Sequence, residues 1–272
     1  MKTTRLTSSN HFVRFREELV SLADQHQTWG FWTMHHRLRN LGFGWNHKRV
    51  YRIYKSMKLN FRSKRKKRLP ARIKEPLLRP IYPNITWSMD FMHDTLECGK
   101  SVRNLNIIDD FNREILNITI DNSLPSARVV SQLEQLIDWR GKPEKIRVDN
   151  GPEFIAEKLK DWCGRNEITL HYIQPGKPTQ NSLIERFNRT FRTEFLDVYL
   201  FENIKQMRNY SEIWMYNNER PHKSLQYLTP RDFLLKYGKL NQNSANEFPT
   251  FQQNFNNDNN KILTKNSTFE CA

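Results

Sequence analysis

Three acidic residues stand in positions that surface acids seldom occupy. Asp90 lies between Met89 and Phe91 in a segment typical of a β-strand, where a buried carboxylate is costly unless it is paired or bound to a metal. Asp149 follows the apolar end of a short predicted strand and opens a glycine turn, and Glu185 lies on a predicted helix. Because a strand, a strand end and a helix edge can meet at one point, we expect these three carboxylates to converge.

Three converging carboxylates have a defined chemical use, which is to hold hard divalent cations. Mg²⁺ and Mn²⁺ prefer oxygen ligands and leave coordination positions open for water and phosphate oxygens. Two such ions about 4 Å apart can activate an attacking oxygen and stabilise the leaving oxygen of an in-line displacement. The formal net charge of +15 indicates a polyanionic partner, so the expected substrate is a phosphodiester.

Each acid also has an ordinary structural interpretation. The segment 149–151 reads Asp-Asn-Gly, which is a common turn on its own. Glu185 could form an i, i+4 ion pair with Arg189. Asp109 and Asp110 compete as metal ligands, but their place at a predicted hairpin turn favours a capping role.

The region that carries the acids is predicted to be an α/β domain. Its first three strands are joined by short turns, and helices then alternate with two further strands, an order typical of a sheet with helices on both faces. The strands are predicted over 85–96, 102–109, 114–120, 145–148 and 168–173, and the helices over 126–139, 153–165 and 180–196.

The last of these helices has two stripes that fix how Glu185 is presented. The apolar stripe must face the sheet, so the polar stripe beside it can lean over the sheet edge toward Asp149. The apolar stripe is Ile184, Phe187, Phe191 and Phe195, and the polar stripe is Asn181, Glu185, Asn188 and Arg192.

The excess positive charge lies entirely in the first third of the chain. Residues 1–80 contain 20 Lys and Arg against 4 Asp and Glu, and the remainder is nearly balanced. Three helices are predicted there, with apolar residues at helical spacing over 12–22, a second helix over 32–41, and a third that Asn46 caps and that runs to about residue 58. A short glycine turn before a helix with a basic face (Lys48, Arg52 and Lys55) indicates a helix-turn-helix. The alternative is a small helical bundle with a solvated basic face.

The remaining segments complete the predicted organisation. Residues 61–83 begin with six cations in the eight positions 61–68 and then carry four prolines, which predicts an extended linker that binds phosphates without reading sequence. Nine asparagines over 241–267 predict a disordered tail. The predicted domains are thus a helical DNA-binding domain (1–60), the linker, a catalytic core (84–240) and the tail (241–272). No apolar run long enough to span a membrane and no secretion signal occur, so a cytoplasmic location is expected.

Several motifs together resemble the DDE transposases of the insertion-sequence-three family, specifically the catalytic subunit encoded by the second reading frame (OrfB). Asp90, Asp149 and Glu185 form the pattern D-x58-D-x35-E, within W-S-M-D-F, V-D-N-G-P-E-F and Q-P-G-K-P-T-Q-N-S-L-I-E-R-F-N-R-T-F-R. Residues 216–225 resemble the family's signature Y-N-x-x-R-P-H-x-x-L, and residues 46–52 resemble its helix-turn-helix. The resemblance extends over about residues 28–235.

The resemblance implies a fold and an activity. The fold is α/β, an RNase H-like core with a central mixed sheet and flanking helices, preceded by a small helical helix-turn-helix domain. The activity is polynucleotidyl transfer, in which one strand is cut at the end of the element and the exposed 3′-hydroxyl attacks another phosphodiester. The implied partners are the terminal inverted repeats and the target duplex, an upstream first-frame protein or frameshift-fusion segment, and further copies of the chain assembled on DNA.

The resemblance also implies roles for individual residues. Asp90, Asp149 and Glu185 would be the catalytic ligands of Mg²⁺ or Mn²⁺, with two ions expected when DNA is bound. Arg192 matches a basic residue of the family and is expected near the DNA, and His222 carries a looser functional role. The residues expected to bind DNA are Lys48, Arg49, Arg52, Lys55, Lys64, Arg65, Lys66, Lys67, Arg68, Lys177 and Arg192.

One departure from the family pattern lies in the first helix-turn-helix segment. Residues 29–33 read Trp-Gly-Phe-Trp-Thr where the family usually has Y-G-Y-R-R, so two cations are absent and recognition of the element end is expected to differ. Two other functions stay open from the sequence: a DNA-binding remnant or regulator with an inactive RNase H-like fold, and another RNase H-like nuclease, for example one that acts on RNA–DNA hybrids.

Overall fold

The computed structural model describes residues 8–59, 80–174 and 178–238 of the chain. Most of the predicted linker, including Lys64–Arg68, the whole predicted tail and Lys177 lie outside these ranges. Within the described ranges, no helix combines the length and apolar character that crossing a bilayer would require.

The N-terminal unit consists of α1 (Ser8–Gln25), α2 (Phe31–Asn40) and α3 (His47–Ser56). Its core combines the predicted apolar stripe of α1 with residues of the other two helices: Phe15, Leu19, Leu22, Met34, Leu38, Val50 and Tyr54 are all buried. The Asn46 side chain accepts a hydrogen bond from the backbone N–H of Lys48 at 2.9 Å, which satisfies a free donor of the first turn of α3. The predicted helices and the predicted cap are confirmed.

The catalytic region is built on one mixed sheet of five strands. These are β1 (Thr86–Thr95), β2 (Ser101–Asp109), β3 (Ile115–Asp121), β4 (Lys145–Val148) and β5 (Thr169–Tyr172), in the order β3-β2-β1-β4-β5. The first three strands pair antiparallel, and β4 joins β1 and β5 in parallel. The strand β1 therefore lies at the centre, where the antiparallel and parallel halves meet. The mixed sheet that the resemblance implies is confirmed.

Helices cover both faces of this sheet. One hydrophobic core contains residues of α4 and α6 together with Trp87, Met89 and Ile146 of the sheet. The opposite core contains residues of α7, the π-helical turn that follows it and α8. The helices are α4 (Ser126–Arg140), α5 (Pro152–Ile155), α6 (Glu157–Arg165), α7 (Ser182–Phe191), α8 (Ile204–Ile213), α9 (Tyr216–Glu219) and α10 (Pro230–Tyr237).

The single helix predicted over 153–165 is wrong. The chain breaks at Ala156, whose backbone is extended (φ −54°, ψ 136°), and forms α5 and α6 instead. Phe154 and Leu159 are both fully buried, yet residues five apart would point about 140° away from each other on one continuous helix. The break lets both side chains face the same core.

The helix predicted over 180–196 is also divided. A 3-10 turn (Pro178–Asn181) leads into α7, and a π-helical turn (Arg192–Leu196) ends it. The apolar stripe is nevertheless as predicted, since Ile184, Phe187 and Phe191 are buried. Its polar edge therefore carries Glu185 beside the sheet.

Candidate active site

Asp90 and Asp149 come from neighbouring parallel strands. The pairing of β1 with β4 aligns Ser88 with Arg147, and two residues further along each strand come Asp90 and Asp149. Neighbouring strands are about 4.8 Å apart. The two carboxylates that were predicted to approach each other therefore stand level, one inside β1 and one just beyond the end of β4.

Helix α7 completes the site through a direct contact with Asp90. Asn188 Nδ2 donates a hydrogen bond of 2.8 Å to Asp90 Oδ2. Glu185 lies one helical turn before Asn188 on the same face. Among the described residues, Glu185 forms no ion pair, so the alternative pairing with Arg189 is not realised. The structure thus brings the third predicted acid to the same edge of the sheet.

The electrostatics of Asp90 reflect this convergence. The pKa of Asp90 is raised to about 7, chiefly by burial and also by the charges of Asp149 and Glu185, while hydrogen bonds from the Phe91 backbone and from Asn188 oppose the shift. Like charges close together favour protonation of one of them. A cation bound between the carboxylates would remove this repulsion.

The carboxylate of Asp149 is held by its own turn. Gly151 N–H donates to Asp149 Oδ1 at 2.9 Å. A Cβ at Gly151 would lie 3.0 Å from the same oxygen and 3.6 Å from the Phe154 ring. Because the backbone of Gly151 is in an ordinary extended conformation (φ −62°), this glycine provides space beside Asp149 and not an unusual φ angle.

The donor set suits a hard cation, since it consists of carboxylate oxygens. In the described part of the chain, no group of three or more His, Cys, Asp or Glu side chains is already gathered tightly enough to form a metal-binding cluster. The three acids therefore interact electrostatically, but they do not form a preassembled metal-binding cluster.

The two rival acids serve the structure of the hairpin. Asp109 accepts hydrogen bonds from the backbone N–H groups of Asn84 and Phe111, both at 2.9 Å. Asp110 accepts from Ser88 Oγ at 2.7 Å and pairs with Arg147 at 2.6 Å. The capping role predicted for Asp109 is confirmed, whereas Asp110 caps no backbone N–H among the described residues and instead binds the side chains of Ser88 and Arg147.

The predicted DNA-binding residues occupy different situations. Lys48, Arg49, Arg52 and Lys55 are exposed on α3, and the Arg49 guanidinium lies 4.2 Å from the centre of the Trp45 ring. Arg192 does not project freely, because it pairs with Asp94 at 3.1 Å and also donates to the His93 carbonyl. Arg192 therefore ties the end of α7 to β1, four residues beyond Asp90.

Sequence reasoning missed a residue that supports the site from β2. Asn106 Nδ2 donates to Asn188 Oδ1 at 2.7 Å, and Asn106 is fully buried. The relay Asn106–Asn188–Asp90 therefore joins β2, α7 and β1. A polar residue inside an apolar strand was the available signal, although it could not identify the partner.

The N-terminal unit contacts the catalytic region through charged and aromatic groups. Trp29 Nε1 donates to Glu194 Oε2 at 3.1 Å, and Arg37 pairs with Glu219 at 3.0 Å. The His36 ring stacks on Tyr227 with ring centres 3.4 Å apart. These contacts fix the orientation of the N-terminal unit, which carries the basic helix α3, relative to the catalytic region, which carries the three acids.

Profiles of known families match most of the chain. Two profiles described as integrase core domain match residues 82–178 and 166–230, and one described as HTH-like domain matches residues 14–68. The two integrase-core matches together span all three acids.

Relatives from bacterial insertion elements match over most of their length. An uncharacterized 31.7 kDa protein of insertion element IS407 from Burkholderia multivorans is 38% identical over 221 residues, covering 80% of this chain and 80% of that protein. An uncharacterized 39.2 kDa protein of insertion element IS476 from Xanthomonas euvesicatoria is 38% identical over 232 residues, covering 85% of this chain and 67% of that protein.

The fold also occurs in a viral assembly. A chain in the cryo-EM structure of the simian T-cell lymphotropic virus intasome in complex with PP2A regulatory subunit B56 gamma superimposes with a TM-score of 0.52 and 18% identity. The match covers 79% of this chain and 73% of that chain. At this level of identity, the similarity concerns the fold.

Proposed function

This chain belongs to the insertion-sequence-three family of transposases with an integrase core, and we propose that Asp90, Asp149 and Glu185 are its catalytic carboxylates. The protein is a DDE transposase, an enzyme that transfers polynucleotide strands. The proposal assigns this activity to three particular side chains of the chain.

One geometric observation carries the assignment. Asp90 and Asp149 stand level on adjacent strands, and Asn188, one turn beyond Glu185, is hydrogen-bonded to Asp90. The three acids are separated by 58 and 35 intervening residues, so only the fold can bring them together. The raised pKa of Asp90, to which both other acids contribute, supports the same arrangement.

We propose that Mg²⁺ or Mn²⁺ binds at these carboxylates, as two ions when DNA is present. The oxygen donors fit such ions, and the mutual repulsion of the acids would be relieved by positive charge. When bound, the ions would supply activation of the attacking oxygen and stabilisation of the leaving oxygen.

The chain's own residues would orient the reaction. Asn188 donates a hydrogen bond to one carboxylate oxygen of Asp90, and the Phe91 N–H donates to the other. Gly151 N–H fixes one oxygen of Asp149. Carboxylates held in this way need little rearrangement when the phosphodiester arrives, which is how preorganised charge lowers a barrier.

The substrate and partners follow from family membership and from the charge distribution. The family binds DNA and assembles into oligomers. For this chain we propose that the DNA consists of the terminal inverted repeats and a target duplex. The helical domain (1–60) and the linker (61–83) would bind phosphates beside the core (84–240). We also propose an upstream first-frame protein, or its fused form, as a partner.

The test uses a duplex that carries the ends of the element encoding this chain. Purified protein, with and without the first-frame protein, is incubated with this DNA and Mg²⁺ or Mn²⁺, and strand cleavage and joining are followed on denaturing gels. Asp149→Asn should abolish both steps and keep DNA binding. A variant that joins ends at the wild-type rate would refute the assignment.

Two controls separate the remaining functions. An RNA–DNA hybrid of the same sequence should not be cut faster than the duplex, since preferential cutting would indicate a hybrid nuclease. Binding of element ends without any metal-dependent chemistry, even with the first-frame protein, would indicate an inactive regulator.

A further inference from the structure

A pocket lies between the helical unit and the catalytic region, on the other side of α7 from the acids. Its volume is about 630 Å³, within the usual range for sites that hold a small ligand. Its wall includes Trp32 of α2, Arg186 of α7, and Pro221–Lys223 from the segment before α10. None of the described residues that line it is Asp or Glu.

The pocket concentrates positive charge. Arg113, Arg186, Arg220 and Lys223 all line it. Arg220 is neutralised by Glu194 at 2.8 Å. In the described part of the chain, the other three cations form no ion pair, but the charge of Asp110, which pairs with Arg147, also acts on Arg113. Arg186 and Lys223 are therefore the cations most available to a ligand. Guanidinium groups are the preferred partners of phosphate in proteins.

A buried imidazole adds an unused polar group. His222 is 8% exposed and lines the pocket, and its Nε2 has no hydrogen-bond partner among the described residues. The residue is held firmly, because its backbone N–H donates to the Leu228 carbonyl at 3.0 Å and its ring packs edge-on against Tyr216. A buried polar atom without a partner requires an explanation, and a ligand atom or an ordered water can supply the missing hydrogen bond.

The rim of the pocket is aromatic. Trp32 is 53% exposed, and Tyr227 lines the same pocket while it stacks on His36. Exposed aromatic rings beside cations are the arrangement on which unpaired bases stack.

The position of α7 connects the pocket with the acids. Leu183, Arg186 and Thr190 face the pocket, whereas Asn188 faces Asp90. A helix with its side chains is about 10 Å across, so a strand that reaches both the carboxylates and the pocket must pass around α7.

We propose that this pocket binds one unpaired nucleotide of the DNA strand that reaches the carboxylates. Arg113, Arg186, Lys223 and His222 contact its phosphate, and its base stacks on Trp32. This inference rests on the proposed function, because it takes the carboxylates as the place where the strand is cut. It assigns to His222 a role in binding phosphate. It assigns to Trp32 a role in base stacking, at a segment where the family's usual sequence, Y-G-Y-R-R, has no tryptophan.

The experiment measures binding of a fluorescent single-stranded hexathymidylate to the full chain by anisotropy, in EDTA. Arg186→Gln with Lys223→Gln should weaken binding by about tenfold and should lower the slope of log Kd against log salt by about 0.7, since both cations contact the same phosphate and each phosphate neutralised on a single strand contributes about 0.7. The matched control is Lys158→Gln with Lys160→Gln on α6, which removes two exposed charges from the opposite face of the sheet.

Trp32→Ala and His222→Phe test the two other contacts. Trp32→Ala should weaken binding by fivefold or more because base stacking is lost, and His222→Phe should weaken it while retaining the ring packing. The proposal is refuted if the Arg186/Lys223 variant binds as the α6 control does. It is also refuted if thymidine 5′-monophosphate competes as well as the hexamer, which would indicate a site for free nucleotides.

Failure of this proposal is distinguishable from failure of the proposed function. The binding assay contains no metal and involves no bond cleavage, so its outcome does not depend on the carboxylates.

Discussion

Asn188 donates a hydrogen bond of 2.8 Å to Asp90, and this contact joins the helix that bears Glu185 to the central strand of the sheet. Asn188 is itself oriented by Asn106, which donates to its carbonyl oxygen. An amide held from behind in this way can present only its NH₂ group to Asp90. The orientation of the Asp90 carboxylate is therefore set by two other secondary-structure elements.

The relay predicts that Asn188→Ala lowers strand cleavage by about 10–100-fold, the usual effect of losing a group that orients a ligand. The Mg²⁺ concentration for half-maximal activity should rise, while affinity for DNA stays the same. Asn122→Ala, at an exposed asparagine just after β3, is the matched control and should leave cleavage unchanged. An unaltered metal requirement in Asn188→Ala would show that the contact is only structural.

Gly151 offers a test of Asp149 that leaves its charge in place. In Gly151→Ala the new methyl group would lie 3.0 Å from Asp149 Oδ1, so the carboxylate must move. Cleavage should fall at least tenfold, while the free energy of unfolding changes by less than about 1 kcal/mol, because the φ angle of Gly151 is open to alanine. Gly164→Ala on α6, where nothing lies within 4 Å of the added Cβ, should keep full activity. Equal activity in both variants would mean that Asp149 is not positioned by this turn.

The three proposed catalytic acids stand out in the sequence because their local positions are anomalous. Asp90 interrupts a strand, and a lone carboxylate in such a place requires a physical reason. The stripe on α7 then fixed the direction of Glu185, since Phe187 and Phe191 can face only the core. The break at Ala156 could not be predicted, because the spacing of apolar residues does not show that Phe154 and Leu159 must both face the same core.

Contacts between distant residues could not be predicted either. Glu194 reads as a surface acid on a helix, yet it accepts hydrogen bonds from both Arg220 and Trp29. Trp29 is 165 residues away in the chain, and its role depends on how two units pack together. No local pattern of charge or hydrophobicity contains that information.

Glu194→Ala should destabilise the fold by about 2–4 kcal/mol, because it leaves the largely buried Arg220 without its carboxylate. Trp29 would lose its acceptor at the same time. Chemical unfolding followed by circular dichroism measures the change, with Glu202→Ala at an exposed site as the control. The double variant with Arg220→Ala should recover part of the loss, and additive losses would contradict a paired contact.

The histidines of the helical unit predict that stability depends on pH. The pKa of His35 is lowered to about 4, chiefly by burial and also by the neighbouring His36, Arg39 and His47. A histidine in the unfolded chain has a pKa near 6.5. As the pH falls below 6.5, the unfolded chain therefore binds a proton at this residue, whereas folded His35 stays neutral until about pH 4. The free energy of unfolding should therefore decrease over this interval, by about 1 kcal/mol once solvent screening is allowed for. In melting curves at pH 7.5 and 5.0, His35→Gln should narrow the difference in Tm between the two pH values by about 2–4 °C. An exposed residue without a titratable group, Asn122, gives the control, since Asn122→Ala should leave that difference as it is in the wild type. If His35→Gln also left the difference unchanged, His35 would not be the group that carries the proton linkage.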